Sequence, residues 1–273
     1  MSIIEKFRLD NKVVLITGGG GLLGKSYAQA IHEVGGIPII ADLANTNIAQ
    51  TAKIIGPQAD SMEMDVSDKQ SIKVGFEYVA TKYGRLDGLI NNAAYNAPAT
   101  SKNSPNFVEF EDFPYEVWQR SLDVDLSGAF LCAQEASVLF KRQKSGVAVN
   151  ISSTYGNVAP DQRIYRTLTN ENNPSQRFVK PVSYSTTKGA MINFTKYLAV
   201  YWAPFGARAN CLTLGGVFDN QDSGFVEQYK ERTPLNRMAH KDEYAATMVY
   251  LLSEASSYMT GSNLVIDGGW TAW

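Results

Sequence analysis

The sequence predicts an α/β fold: one domain, a doubly wound parallel sheet of about seven strands, and helices on both faces. Three observations carry this. Short apolar runs alternate with amphipathic stretches almost to the end of the chain. Runs such as Val147-Ala148-Val149-Asn150-Ile151 are apolar on both faces, as strands between two helix layers must be. A glycine-rich turn lies between the first apolar run and the first helical stretch, where such sheets bind ligands.

Strands are expected at 12–17, 36–42, 60–65, 86–92, 146–152, 207–213 and 263–266. Helical periodicity falls between them at 22–34, 46–55, 68–83, 115–142, 182–202 and 240–254. Repeated strand–helix–strand order argues for parallel pairing, because parallel neighbours need a crossover. No internal repeat or linker divides residues 1–273. Three stretches break the rhythm: polar loops at 93–114, with Pro98, Pro105 and Pro114, and at 156–181, and a further loop at 215–236. Loops this long within a compact domain are usually functional or disordered.

Composition narrows the function. Apolar residues make up 44% of 273, enough for a sizeable core, and the formal net charge is −2. That balance argues against nucleic acid or an anionic membrane surface as partner. No apolar run approaches the roughly 18 residues that span a bilayer, and the N-terminus lacks the pattern of a signal peptide. Cys132 and Cys211 have no C-x-x-C spacing, and His32 and His240 have no metal-ligand pattern, so inert thiols, no metal and a cytoplasmic location are expected.

The turn itself fits two chemistries. Gly19 to Ser26 reads G-x-x-x-x-G-K-S, a loop for nucleoside triphosphates in which Lys25 and Ser26 reach phosphate and Mg²⁺. Gly18, Gly21 and Gly24 read as a variant dinucleotide fingerprint, which needs an acid about 20 residues on at the end of the next strand. Asp42 stands 18 residues after Gly24, on that strand.

The rest of the chain decides between them. Tyr184-Ser185-Thr186-Thr187-Lys188 places a phenol and an ammonium on one helical face, about 5–6 Å apart at Cβ. The strand at 146–152 delivers Ser152-Ser153 to the carboxyl edge of the sheet, while Asp65-Val66 and Asn91-Asn92-Ala93-Ala94 end two others. Triphosphate chemistry uses none of these; hydride transfer uses them all. A free phenol titrates near 10, too high for a base at neutral pH. An ammonium and a cationic nicotinamide beside it both favour phenolate.

With these residues in order, from about 10 to the closing Asp267-Gly268-Gly269, the chain resembles the short-chain dehydrogenase/reductase family. The resemblance implies a Rossmann-like domain and a hydride exchanged between nicotinamide and a secondary alcohol or ketone on a small-molecule substrate. It implies a catalytic set of Ser153, Tyr184 and Lys188, with Asp125 where the family carries asparagine. It implies a cofactor set of Gly18, Gly21, Leu22, Leu23, Gly24, Asp42, Asp65, Val66, Asn92, Ala93, Tyr184, Lys188, Gly215 and Val217. Asp42 would accept ribose hydroxyls and repel a 2′-phosphate, and no Arg or Lys precedes Gly24 in the turn, so NAD is expected over NADP.

Departures from the family pattern are local. Gly21 carries the middle glycine where Leu22 would be glycine, and Leu214-Gly215-Gly216 and Asp219 replace the usual nicotinamide-side residues. An epimerase on the same NAD site, or a nucleotide-sensing protein without catalysis, would share most of these features. The stretches 215–221 and 268–273 resemble those of family members encoded among bacterial surface-sugar pathways. A homotetramer or homodimer is implied, with 115–142 and 182–202 packed across a two-fold axis and the last strand at another interface.

The family serine usually lies about 13 residues before the tyrosine, but Ser153 and Tyr184 are 31 apart. The inserted stretch carries Arg163, Arg166, Arg177 and Lys180 against Asp161 and Glu171. Arginine forks match carboxylate and phosphate oxygens, so Arg163, Arg166 and Arg177 are expected to read an anionic, sugar-like substrate. A solvated loop or an oligomer contact is the plainer alternative.

Overall fold

The structure, a computed structural model, describes residues 2–95, 108–170 and 173–273. Seven parallel strands form the central sheet: β1 (Val13–Thr17), β2 (Ile37–Asp42), β3 (Asp60–Glu63), β4 (Gly88–Asn91), β5 (Gly146–Ser153), β8 (Ala207–Leu214) and β9 (Asn263–Ile266). Their order is β3-β2-β1-β4-β5-β8-β9. The chain therefore reverses its winding between β1 and β4, and a crevice opens at the carboxyl ends of these two strands. Each sequence-predicted strand is present to within two residues at either end.

Two apolar layers sandwich the sheet. One packs α3 (Lys69–Tyr83) and α5 (Gly128–Gln143) on Val13, Leu15, Leu89 and Ala148, with Trp202 and Phe140 at its base. The other packs α1 (Leu22–Glu33), α2 (Ile48–Ile55) and α9 (Ala245–Leu252) on Val14, Ile16, Ile90, Val149 and Leu212. Successive residues of each strand thus go to opposite layers, the period-2 consequence of a pleated strand buried on both faces.

The expected helix at 115–142 is three segments: α4 (Tyr115–Ser121), a π-helical stretch (Leu122–Ser127) and α5. The expected helix at 240–254 is a 3₁₀ turn (Lys241–Tyr244) followed by α9. The described residues of the insertion form regular elements. After β5 come α6 (Thr154–Asn157), a 3₁₀ turn (Gln162–Tyr165), and a hairpin of β6 (Thr169–Asn170) and β7 (Asn173–Arg177) leading into α7 (Val182–Trp202). The 215–236 loop contains α8 (Ser223–Lys230). Of the loop predicted at 93–114, residues 96–107, with Pro98 and Pro105, lie outside the described residues.

A third, smaller core explains the insertion. Tyr155, Ile164, Tyr165, Leu168 and Phe178 bury themselves against Phe225 and Tyr229 of α8, Met238 and Trp270. The Tyr165 ring lies 4.8 Å from Phe178 and 5.3 Å from Phe225, and Tyr229 stacks on Trp270 at 4.5 Å. Aromatic pairs at these separations add stability beyond their buried area.

Candidate active site

The glycine turn is built for close approach. Gly18 takes φ +62°, and a Cβ there would meet the Ala93 backbone at 2.8 Å. Gly24 has a different role from the groove-lining glycines: a Cβ would meet Gly18 O at 2.5 Å, so this glycine lets α1 press onto the turn. Gly21 is open, with only Gly18 O near a would-be Cβ at 3.3 Å. It caps α1 without a side-chain hydrogen bond, so no capping side chain occupies the first-turn N–H groups, a terminus suited to an anion. Lys25 is exposed, while Ser26 is buried and donates to Asp242 at 3.0 Å, so neither joins a triphosphate loop.

Thr17 and Asn92 tie this turn to β4. The Thr17 hydroxyl donates to Ile90 O and accepts from the N–H groups of Asn92 and Ala93 at 3.0 and 3.1 Å. The Asn92 amide donates to the carbonyls of Thr17 and Gly18, each at 3.0 Å. Asn91 belongs to the core instead, donating to Asn150, which donates to Thr195 of α7.

A groove of about 480 Å³ runs over this turn, lined by Gly18, Gly21, Leu22, Leu23, Asp42, Asp65, Val66, Asn92, Ala93 and Val217. Asp42 ends β2 with one carboxylate oxygen accepting the Gly20 N–H at 2.9 Å and the other that of Leu43 at 2.7 Å. Arg120, absent from the sequence reading, also lines the groove, donating to Ser67 at 2.7 Å with Asp65 4.0 Å away.

The groove continues into a cavity of about 530 Å³, with Leu22, Leu23, Asn92, Ala94 and Val217 on both walls. Ser153, Tyr184, Lys188, Gly215 and Asp219 line it, as do Tyr155, Tyr165, Tyr229 and Lys180 from the aromatic core and insertion. Ser153 sits at the end of β5, where its hydroxyl accepts the Tyr155 N–H at 3.3 Å and caps α6. Ser152 points the other way and donates to Lys188 O at 2.7 Å. Gly156 permits this join, since a Cβ there would meet Ser152 Oγ at 2.5 Å and Lys188 O at 2.7 Å. The bare glycine brings α6 onto α7, and Ser153 and Tyr184 line the same cavity.

On α7 the Lys188 ammonium is 5.9 Å from the centre of the Tyr184 ring and donates to Ile151 O at 3.1 Å. Asp125 lies behind this wall, in the π-helical stretch. Its carboxylate accepts the Tyr95 N–H at 2.7 Å and the Thr187 hydroxyl at 2.8 Å, tying the loop after β4 to α7. Burial pushes the Asp125 carboxyl above the usual carboxylate range, against the pull of Lys188 and the two donors.

The three arginines are not brought to the cavity. Arg163 is exposed and forked on Asp161 at 2.8 and 2.9 Å; Arg177 is exposed and forked on Glu109 at 2.9 and 3.1 Å. Arg166 is exposed as well. The expectation that these side chains read the substrate is corrected by this geometry: nearby carboxylates hold two of them on the outer surface. Asp161 also pairs with Arg232 and thereby joins the insertion to the segment after α8. A cavity of similar size, about 540 Å³, opens at the opposite end of the strands around Arg8, Lys12 and Asp87, and no candidate residue reaches it.

Comparison with known proteins gives the family. Residues 12–166 match the family profile described as short chain dehydrogenase, and residues 174–271 match the one described as Enoyl-(Acyl carrier protein) reductase. The chain is a short-chain dehydrogenase/reductase. The family binds nicotinamide cofactors, and this member is an oxidoreductase acting on alcohols. It is 32% identical to sorbose reductase of Schizosaccharomyces pombe, over 97% of this chain and 97% of the relative. A short-chain dehydrogenase of Leptospira borgpetersenii with bound NAD+ superposes with a TM-score of 0.84 at 32% identity, covering 99% of this chain and 96% of that one. A gluconate 5-dehydrogenase of Burkholderia cenocepacia in complex with NADP and tartrate gives 0.81 at 27% identity, covering 100% of both. No helix of this dehydrogenase/reductase among the described residues is long and apolar enough to cross a membrane, and no cluster of His, Cys, Asp or Glu among them could hold a metal.

Proposed function

We propose that this enzyme is an NAD-dependent dehydrogenase that interconverts a secondary alcohol and a ketone on a polar, sugar- or polyol-like substrate. One observation carries the reading: Ser153, Tyr184 and Lys188 share a cavity that is continuous with the groove holding Asp42. The residues fit a dinucleotide. An open Gly21 beneath uncapped helix N–H groups suits a pyrophosphate, and Asp42, half-buried and fixed by two backbone donors, suits a ribose diol. A 2′-phosphate there would meet a carboxylate with exposed Leu43 beside it rather than a cation.

Gly18, Gly21, Leu22 and Leu23 would hold the phosphates, Asp65 and Val66 the adenine side, and Asn92, Ala93, Gly215 and Val217 the nicotinamide side. Lys188 would hold the nicotinamide ribose. Bound there, the nicotinamide supplies hydride donor and acceptor capacity that no side chain has. The chain's own residues supply position and proton transfer. Ser153 donates a hydrogen bond to the reacting oxygen, whose charge changes as reaction proceeds. The Tyr184 phenol exchanges the proton with that oxygen, and negative charge developing on the phenol is met by the Lys188 ammonium. Lys188 is held in place by Ile151 O and, through its own carbonyl, by Ser152.

The sorbose reductase and gluconate 5-dehydrogenase likenesses support a polyhydroxylated substrate. We read the enzyme as a homotetramer or homodimer, supported by exposed apolar side chains on α5 and α7. Two buried free thiols, Cys132 and Cys211, are compatible with a cytoplasmic enzyme.

The test follows absorbance of NADH during incubation with a panel of polyols, ketoses and sugar acids. Wild type should turn over at least one of them with NAD, and Tyr184→Phe should lose more than about 100-fold in kcat, the scale of a lost acid–base group. Its NADH affinity should barely change. Retained turnover in Tyr184→Phe would remove the phenol from the mechanism, and turnover with NADP alone would overturn the cofactor assignment.

A further inference from the structure

The insertion brings phenols to the catalytic cavity. Tyr155, two residues after the reacting serine, and Tyr165, in the 3₁₀ turn of the insertion, both line it. Their hydroxyls are 2.9 Å apart and form a buried hydrogen bond that either oxygen can donate. Neighbouring rings hold the pair in place. Tyr155 meets Tyr184 edge-on at 6.4 Å and Trp270 at 6.3 Å, while Tyr165 stacks on Phe225 at 5.3 Å. Only 8% of Tyr155 and 4% of Tyr165 is exposed, so bulk solvent reaches little of either.

Tyr229 adds a third phenol to the wall around Tyr184, its oxygen accepting the Gly216 N–H. Burial pushes Tyr155, Tyr165 and Tyr229 above the usual phenol range, and charge on Tyr184 would push each further, a coupling that needs neighbouring oxygens. All three therefore stay protonated near neutral pH. A tyrosine hydroxyl has one hydrogen and two lone pairs. The Tyr155–Tyr165 bond uses one of the pair's two hydrogens, and no described residue accepts the other. The pair thus offers one donor and spare lone pairs in a wall that Phe225 and Met238 make otherwise apolar. An alcohol hydroxyl, which donates and accepts at once, completes that set. A carboxylate, acceptor on both oxygens, wants more donors than the pair has. The carbons between two hydroxyls suit the rings.

We propose that the Tyr155–Tyr165 pair is a specificity site for polyols, binding a second, non-reacting hydroxyl of a substrate whose reacting carbinol lies at Ser153 and Tyr184. The inference rests on the dehydrogenase reading and deepens it. It also gives the insertion a role, because Tyr165 arrives with the inserted stretch and completes a pair that Tyr155 alone could not form. The pair orients the substrate; it takes no part in moving the proton.

Two probes test this: 2-butanol, which carries only a reacting hydroxyl, and meso-2,3-butanediol, which adds one beside it. The ratio of their kcat/KM values is compared in wild type and in the double variant Tyr155→Phe with Tyr165→Phe. Removing both partners of a buried bond while keeping the rings is close to neutral for stability, so the variant should fold. The diol-to-butanol ratio should fall by about 5- to 100-fold, the scale of a hydroxyl left without its partner, mainly through KM. An unchanged ratio would overturn the proposal, as would an equal fall for both probes, which marks a structural role. NADH fluorescence titration shows that the cofactor site of the variant has survived. If no alcohol is turned over, the dehydrogenase reading fails, and calorimetric binding of xylitol to the NADH complex still decides the phenol pair. Tighter binding to wild type than to the double variant supports it, and equal or absent binding overturns it.

Discussion

Asp42 is a single carboxylate whose two oxygens are held by Gly20 and Leu43, so it cannot swing away from a ligand without losing both bonds. Charge-assisted bonds of this kind are the strong ones. A discriminator this firmly placed should act through charge. Asp42→Ser combined with Leu43→Arg removes the repulsion and adds a guanidinium fork. The NADP-to-NAD ratio of kcat/KM should rise by at least about 10-fold, the scale of one hydrogen bond to a charged group. Initial rates with both cofactors check it, and an unmoved ratio would mean that selection lies elsewhere in the groove. Ser152 and Ser153 make the complementary case: of two adjacent residues on β5, one donates its hydroxyl to α7 and the other caps α6 at the cavity.

At the scale of elements, the π-helical stretch and the insertion shape the site. Leu122–Ser127 carries Asp125 at a widened turn, where its carboxylate reaches Tyr95 on one side and Thr187 on the other. π-Bulges occur frequently at functional sites. Because burial raises this carboxyl, the fold favours its protonated form. That contribution to stability is fully present below the ordinary carboxylate range and is lost as pH rises through the raised value. Asn at this position does not titrate. The Tm of Asp125→Asn minus that of wild type should therefore grow more positive between about pH 4 and about pH 7.5. Calorimetric scans across that range check it, and a flat difference would show that Asp125 titrates normally. The insertion is held mainly by aromatic rings, with the half-buried Asp161–Arg232 pair beside them, since the pairs of its own arginines are exposed and such pairs contribute little.

For the whole molecule, the apolar side chains left in water support the proposed assembly. Phe130 and Val138 on α5 and Tyr197, Val200 and Tyr201 on α7 are between 46% and 78% exposed, an unusual density for two helices that otherwise pack on the sheet. β9 forms the sheet's outer edge, with Val265 exposed beside unpaired backbone groups. Light scattering at micromolar concentration should give two or four chain masses, and Tyr197→Glu with Val200→Glu should reduce this. A monomeric wild type would overturn the assembly.

The fold was legible in the sequence because its signals are local. Doubly apolar runs mark strands buried on both faces, the glycine turn and Asp42 are separated by one crossover, and Tyr184 and Lys188 are one helical turn apart. These spacings act before any tertiary contact forms. Tertiary structure alone decided what depends on distant partners. Asn91 and Asn92 look alike in sequence, yet one completes a core network with Asn150 and Thr195 and the other braces the turn. The insertion reads as a polar loop because its rings are sparse, and it becomes a packed element only when Tyr155, Tyr165 and Phe178 meet Phe225, Tyr229 and Trp270. Which of its cations lines the cavity was settled by partners distant in sequence. Glu109, 68 residues away, captures Arg177, while Gln162 pins the backbone of Lys180 at the cavity wall. Charge count is a property of the sequence, but the direction in which a charge points belongs to the packed fold.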